Sequence, residues 1–157
     1  MRAQRVFNIS MIFCSLLILS GCAKGVSEED RLRGIVDEVA SAGEKKDIEG
    51  VRRHLSKTYK DQEGNDYDGV KRVLLYHFLR AETVSIFVRG VDVEIKGGTA
   101  LVRANVVLVR GKEIKSLKDI IPESAVGYRF DVVFKKEDGG WKAINGQWQD
   151  VGVGGLL

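Results

Sequence analysis

Apolar residues change their spacing once along this chain, near Glu82, and that change restricts the fold more than any other feature. Before it they recur at helical intervals; after it they recur at every second position. Leu32, Ile35, Val36, Val39 and Ala40 share one helical face. Ser27-Glu28-Glu29-Asp30 forms a capping box with acids in the first turn, and Gly43 supplies a stop. A second, short helix is predicted from the cap Asp47, with Ile48, Val51 and Leu55 as its stripe. The polar run Asp61-Gln62-Glu63-Gly64-Asn65-Asp66 reads as a loop. A third helix follows from Tyr67 or Asp68 to Arg80, with Val70, Val73, Leu74, His77 and Ala81 on one face and Phe78 beside it.

Beyond Glu82, Val84, Ile86 and Val88 alternate, and Val91, Val93 and Ile95 alternate in the opposite parity. One residue near Arg89-Gly90 must therefore be absorbed in a bulge or bend if one face stays buried. Gly97-Gly98 reads as a hairpin turn, followed by Ala100, Val102, Ala104, Val106 and Leu108 on one face. A long connection from Gly111 to Gly127 holds Lys112, Lys115, Lys118 and the lone proline, Pro122. Tyr128, Phe130, Val132 and Phe134 then alternate, Glu137-Asp138-Gly139-Gly140 turns, and residues 141–149 form the last strand. Residues 151–157 read as a loose, glycine-rich tail. Helices first and antiparallel strands after them predict an α+β domain, with three N-terminal helices packed on one face of a curved, mainly antiparallel sheet.

The N-terminus has a different character. MRAQR is basic, Val6 to Leu19 is mostly apolar, and the segment ends in Leu19-Ser20-Gly21-Cys22. An apolar run of about 14 residues is shorter than the ~20 a spanning helix needs. This arrangement resembles the lipobox of bacterial lipoproteins. The resemblance implies cleavage before Cys22, lipid on its thiol, residues 22–26 as a short tether, and residues 27–150 as the folded domain. Ala23 after the cysteine, rather than aspartate, implies the outer membrane, with the domain facing the periplasm.

Loss of the leader removes Arg2 and Arg5, leaving 23 basic against 22 acidic residues, or +1. That balance argues against nucleic acid, whose binding needs a basic face. Cys14 leaves with the leader and Cys22 is consumed by lipid, so disulfides, thiolate metal sites and cysteine nucleophiles are excluded.

The element order, the hairpin at Gly97-Gly98 and the ending Phe134-Lys135-Lys136-Glu137-Asp138-Gly139-Gly140-Trp141-Lys142-Ala143-Ile144 resemble the NTF2-like superfamily, a cone-shaped, cystatin-like α+β fold. The resemblance runs from Ser27 to about Asp150. That fold carries enzymes, small-molecule binders and interaction modules, so it does not settle function.

Candidate pocket residues are His77, Tyr128, Trp141 and Trp148. His77 could act as a general base oriented by Asp131 or Tyr128. Alternation directs Asp131 away from Phe130 and Val132, and no nucleophile or oxyanion donor accompanies His77, so it reads as a packing residue. His54 falls off the apolar stripe of its helix. The aromatic pair Trp141 and Trp148 reads as packing before pocket lining. Counting from Asp61, an EF-hand loop needs Gly and Glu where Asp66 and Arg72 stand, so no calcium loop is assigned. No catalytic residue, metal or cofactor is assigned. The expectation is a non-enzymatic envelope lipoprotein that binds a protein partner or small ligand. The alternatives are a cone-pocket isomerase, dehydratase or hydrolase using His77, and a structural component of an envelope assembly. A homodimer through the sheet is a further option.

Overall fold

The computed structural model describes residues 25–80, 83–111, 125–154 and 156. Residues 19–22, with the cleavage motif and Cys22, lie outside them, as do Ala81 and most of the connection after Gly111.

Helix α1 spans Glu28–Glu44. The Ser27 hydroxyl accepts from the Asp30 amide at 3.0 Å, which fixes the first turn as the capping box predicts. Leu32 is fully buried, and Ile35 and Val36 pack beside it. Helix α2 spans Ile48–Arg52, with the Asp47 carboxylate capping the Gly50 amide at 2.8 Å. It ends sooner than the apolar spacing suggests. Leu55 lies instead in a strand, β1, Leu55–Asp61, which the periodicity did not show. Its alternation is masked because its most buried residue is polar. Ser56 is 2% exposed, and its hydroxyl donates to Glu137 at 2.8 Å. An irregularity between Leu55 and Lys60 breaks the period further.

Helix α3 spans Tyr67–Arg80, as expected. The buried Arg52 ties α2 to it, with Nη2 2.9 Å from Asp68 and the guanidinium 4.2 Å from the centre of the Tyr67 ring. The remaining strands are β2 Val84–Lys96, β3 Thr99–Arg110, β4 Ala125–Glu137 and β5 Gly140–Asp150. The sheet order is β1-β5-β4-β3-β2. Only the β1–β5 pairing is parallel, so the sheet is mainly antiparallel, as the element order predicts.

The register of β2 on β3 shifts between Val88 and Gly90, leaving Arg89 as the extra residue. The bulge returns Val91 and Val93 to the face of Ile86 and Val88, as the parity change requires. Ala100, Val102, Ala104 and Val106 are buried on that inner face. On the outer face, Arg103 donates to Asp92 at 3.1 Å and Glu94 at 2.6 Å.

The tail does not hang loose. Val153 and Leu156 pack on Val107, Val109, Ala125 and Phe87, on the outer face of the sheet. The Val151 amide donates to Gly127 O at 3.0 Å, and Arg89 Nε donates to Leu156 O at 3.1 Å. A Cβ at Gly127 would come within 2.7 Å of Gly152 O, so glycine is what lets the tail approach. The uninterrupted run Val106-Val107-Leu108-Val109 has the composition of a strand covered on both faces. The five strands form one sheet, and the helices and the tail pack on its two faces.

Candidate functional site

The curved sheet and the helices do not close completely. Between them lies a cavity of about 640 Å³, within the size range of small-molecule sites. Its wall is mostly aliphatic. Ile35, Val36 and Val39 enter from α1, Val70, Val73 and Leu74 from α3, and Val102, Ala104, Val106 and Leu108 from β3. Alternation produces this arrangement, because every second residue of β3 faces inward. Helix α3 lies across the cavity rather than on the sheet. Gly69 is its one buried residue, and Leu75, Tyr76 and Leu79 are exposed outside.

The cone has a tight end and an open end. Phe134, Tyr59, Ala143 and Val102 are buried at the hairpin end of the sheet, and Arg110, His77 and Glu63 are exposed around the other end. Near the open end, Tyr128 and Phe130 lie 5.9 Å apart, and Phe130 and Trp148 lie 6.3 Å apart. Gln62 fastens the end of β1 to β5. Its Nε2 donates to Trp148 O at 2.9 Å, and its Oε1 accepts from Trp148 N at 3.1 Å.

Three of the four candidate pocket residues, His77, Tyr128 and Trp148, line the cavity. Trp141 does not. It is buried in the packed core, where its Nε1 donates to Glu28 at 2.6 Å. That bond, with Lys136 Nζ at 3.1 Å, holds the Glu28 carboxyl below its usual range. Asp131 pairs in register with Arg103 and Gln147 on the outer face, so it cannot orient His77. His77 is exposed at the rim, edge-on to Tyr76 at 5.4 Å.

The histidine set into the wall is His54, which the helical spacing placed off the apolar face. Because α2 stops at Arg52, His54 follows a different backbone path, and its carbonyl accepts from the Ala143 amide at 2.8 Å. Its side chain is 12% exposed, and its Nε2 is 3.0 Å from Glu38 Oε2, without the alignment of a hydrogen bond. Burial lowers the His54 pKa, and Glu38 only partly opposes this. The unfolded chain therefore binds the proton more readily than the fold does. The contribution of His54 to stability is complete above about pH 6.5 and falls as the pH drops below that value. Thermal melts between pH 7.5 and 5 should show this loss in the wild type and a shallower slope in His54→Gln. Parallel slopes would mean that His54 is solvated.

Tyr59 also lines the cavity, and burial followed by Asp61 raises its pKa to about 12, so its hydroxyl stays protonated. The Asp61 carboxylate is occupied by its own turn, accepting from the Glu63 amide at 3.0 Å and the Asn65 amide at 2.8 Å. Asp66 caps α3 through the Gly69 amide at 2.7 Å. Among the described residues, no three His, Cys, Asp or Glu side chains converge as metal ligands.

No family profile matches the sequence, and no curated protein does. Solved structures do match. One is Bd1075 of Bdellovibrio bacteriovorus, at TM-score 0.64 and 15% identity. The match covers 79% of this chain but only 43% of Bd1075, so this chain spans less than half its length. A candidate scytalone dehydratase from Novosphingobium aromaticivorans matches at TM-score 0.67 and 12% identity, over 79% of this chain and 84% of that one. An NTF2-like protein from Cytophaga hutchinsonii matches at TM-score 0.60 and 15% identity, over 80% and 99%. These identities speak for the fold alone: the chain carries the NTF2-like, cystatin-type α+β cone.

Proposed function

We propose that this chain is a lipid-anchored envelope protein whose cone holds a small apolar ligand without transforming it. The observation behind the binding reading is the cavity of about 640 Å³ with a wall built mainly from aliphatic side chains. Apolar wall area with a few polar groups is the usual make-up of a small-molecule site. The anchor rests on Leu19-Ser20-Gly21-Cys22 behind a basic, apolar leader, and Ala23 favours the outer membrane as its location.

A neutral apolar fluorophore, N-phenyl-1-naphthylamine, tests the binding reading on the mature chain carrying Cys22→Ser to keep it free of lipid. Saturable fluorescence enhancement is expected. Ala104 faces the cavity and is 6% exposed, so Ala104→Trp should fill the space while the sheet persists. Its affinity should fall by about 10-fold or more, equivalent to at least ~1.4 kcal/mol of lost contact. Absence of binding, or equal binding in Ala104→Trp, would overturn the reading.

A second reading, catalysis, draws on the carboxylate of Glu38 beside His54. A base held by a third group is the usual arrangement of general-base catalysis, and one structural neighbour is a candidate dehydratase. In that case His54→Gln, rather than His77→Gln, should lower turnover of a screened substrate by about 10²–10⁴-fold with the fold intact. The binding reading expects fluorophore capture to survive in both variants.

A further inference from the structure

The inner face of β3 has one discordant residue. Ala100, Val102, Ala104, Val106 and Leu108 are apolar, and the next residue on the same face is Arg110. Period-two alternation puts the guanidinium among the residues that line the open end of the cavity. No carboxylate among the described residues lies within ion-pair distance of it. By contrast, Arg103, Arg52 and Arg33 each have a carboxylate partner at 2.9 Å or less. The two carboxylates on the cavity wall, Asp61 and Glu63, lie at the end of β1, three strands from β3 in the sheet. That separation is about 14 Å at ~4.8 Å per strand. Asp61 is also engaged by its own turn.

The cavity is also long. From Val102 to Arg110 the inner face of β3 runs eight residues, about 26 Å at ~3.3 Å per residue. The wall along that path is aliphatic, and the cation stands at its open end. An apolar channel that ends in a guanidinium with no carboxylate partner among the described residues is complementary to a molecule with an extended hydrocarbon chain and one terminal anion. Arginine suits a carboxylate because its planar fork donates two parallel hydrogen bonds.

We propose that the cavity takes a long-chain monocarboxylate, with its chain along β3 and its carboxylate on Arg110. This rests on the binding reading above and goes beyond it by naming the ligand class.

The test displaces bound N-phenyl-1-naphthylamine with three ligands of equal chain length: dodecanoate, dodecanol and dodecylammonium. The protein is again the mature chain carrying Cys22→Ser, with and without Arg110→Gln. In the parent, dodecanoate should compete about 10-fold or more better than dodecanol, as a charge-assisted hydrogen bond requires, and dodecylammonium should be weakest. In Arg110→Gln the preference for the acid over the alcohol should shrink to near unity. Equal competition by acid and alcohol in the parent would overturn the ligand class, as would an acid preference that survives Arg110→Gln. Failure of the fluorophore itself to bind would overturn the cavity reading first, so the two failures are distinguishable.

Discussion

Leu32→Ala is expected to lower the unfolding free energy by about 2–5 kcal/mol, the range for deleting a leucine side chain from a close-packed site. Leu32 is 0% exposed and sits where α1 meets the tight end of the cone, among Trp141, Tyr59 and Phe134. The neighbouring rings are held in place. Trp141 is bonded to Glu28, and Tyr59 lies against Gly146, where any Cβ would strike its hydroxyl. A site lined by such rings cannot collapse into the vacated volume, so the cavity term remains. Val106→Ala supplies the contrast. Val106 already borders open space, so its truncation removes fewer contacts and should destabilise by roughly 1 kcal/mol. Urea denaturation of the two variants measures both. Equal losses would show that the cavity closes in solution and that Val106 is packed as tightly as Leu32.

Cys22→Ser should have an all-or-none effect. On the lipid-anchor reading the Cys22 sulfur is the atom that would receive lipid, and serine offers only a hydroxyl of far lower nucleophilicity. The wild type should yield a mature N-terminus at Cys22 bearing acyl mass and should sediment with membranes. The variant should lack the acyl mass and keep its leader or leave the membrane fraction. Each buried methylene contributes about 0.8 kcal/mol to anchoring, so loss of two or more chains is not a graded change. Mass spectrometry of the N-terminal peptide checks this. Cleavage elsewhere, or a wild-type peptide without acyl mass, would refute the anchor.

The helices, the long strands, both hairpins and the Arg89 bulge were legible because each leaves a periodic trace that side-chain direction enforces. Three features were not, for separate reasons. Strand β1 hides its period behind buried Ser56 and an irregular register. The tail looks disordered in composition, yet its docking is foreshadowed by the two-sided apolar run of β3, a signal written on its partner rather than on itself. The helical period puts His54 off the apolar face only if it continues to Leu55, three residues past the end of α2. In the site, His77, Tyr128 and Trp148 were placed with the cavity, whereas Trp141 was not separated from them. Aromatic residues at alternate positions share a face, but depth along the strand decides whether they meet space or core. Arg110 carries no signal of its own in the sequence, since a charged residue at the last position of a strand ordinarily marks its end.

The chain enters the fold at the tight end of the cone. Glu28, at the start of α1, is bonded to Trp141 and paired with Lys136, beside the turn between β4 and β5. Arg110 and the cavity mouth stand at the far end of strands 11 to 13 residues long, about 40 Å along the chain at ~3.3 Å per residue. On the lipid-anchored reading proposed above, the anchor would therefore join the fold at the end opposite Arg110. A ligand taken at the Arg110 end would then enter on the side away from the anchor. On that reading, loading would come from solution or from a second protein.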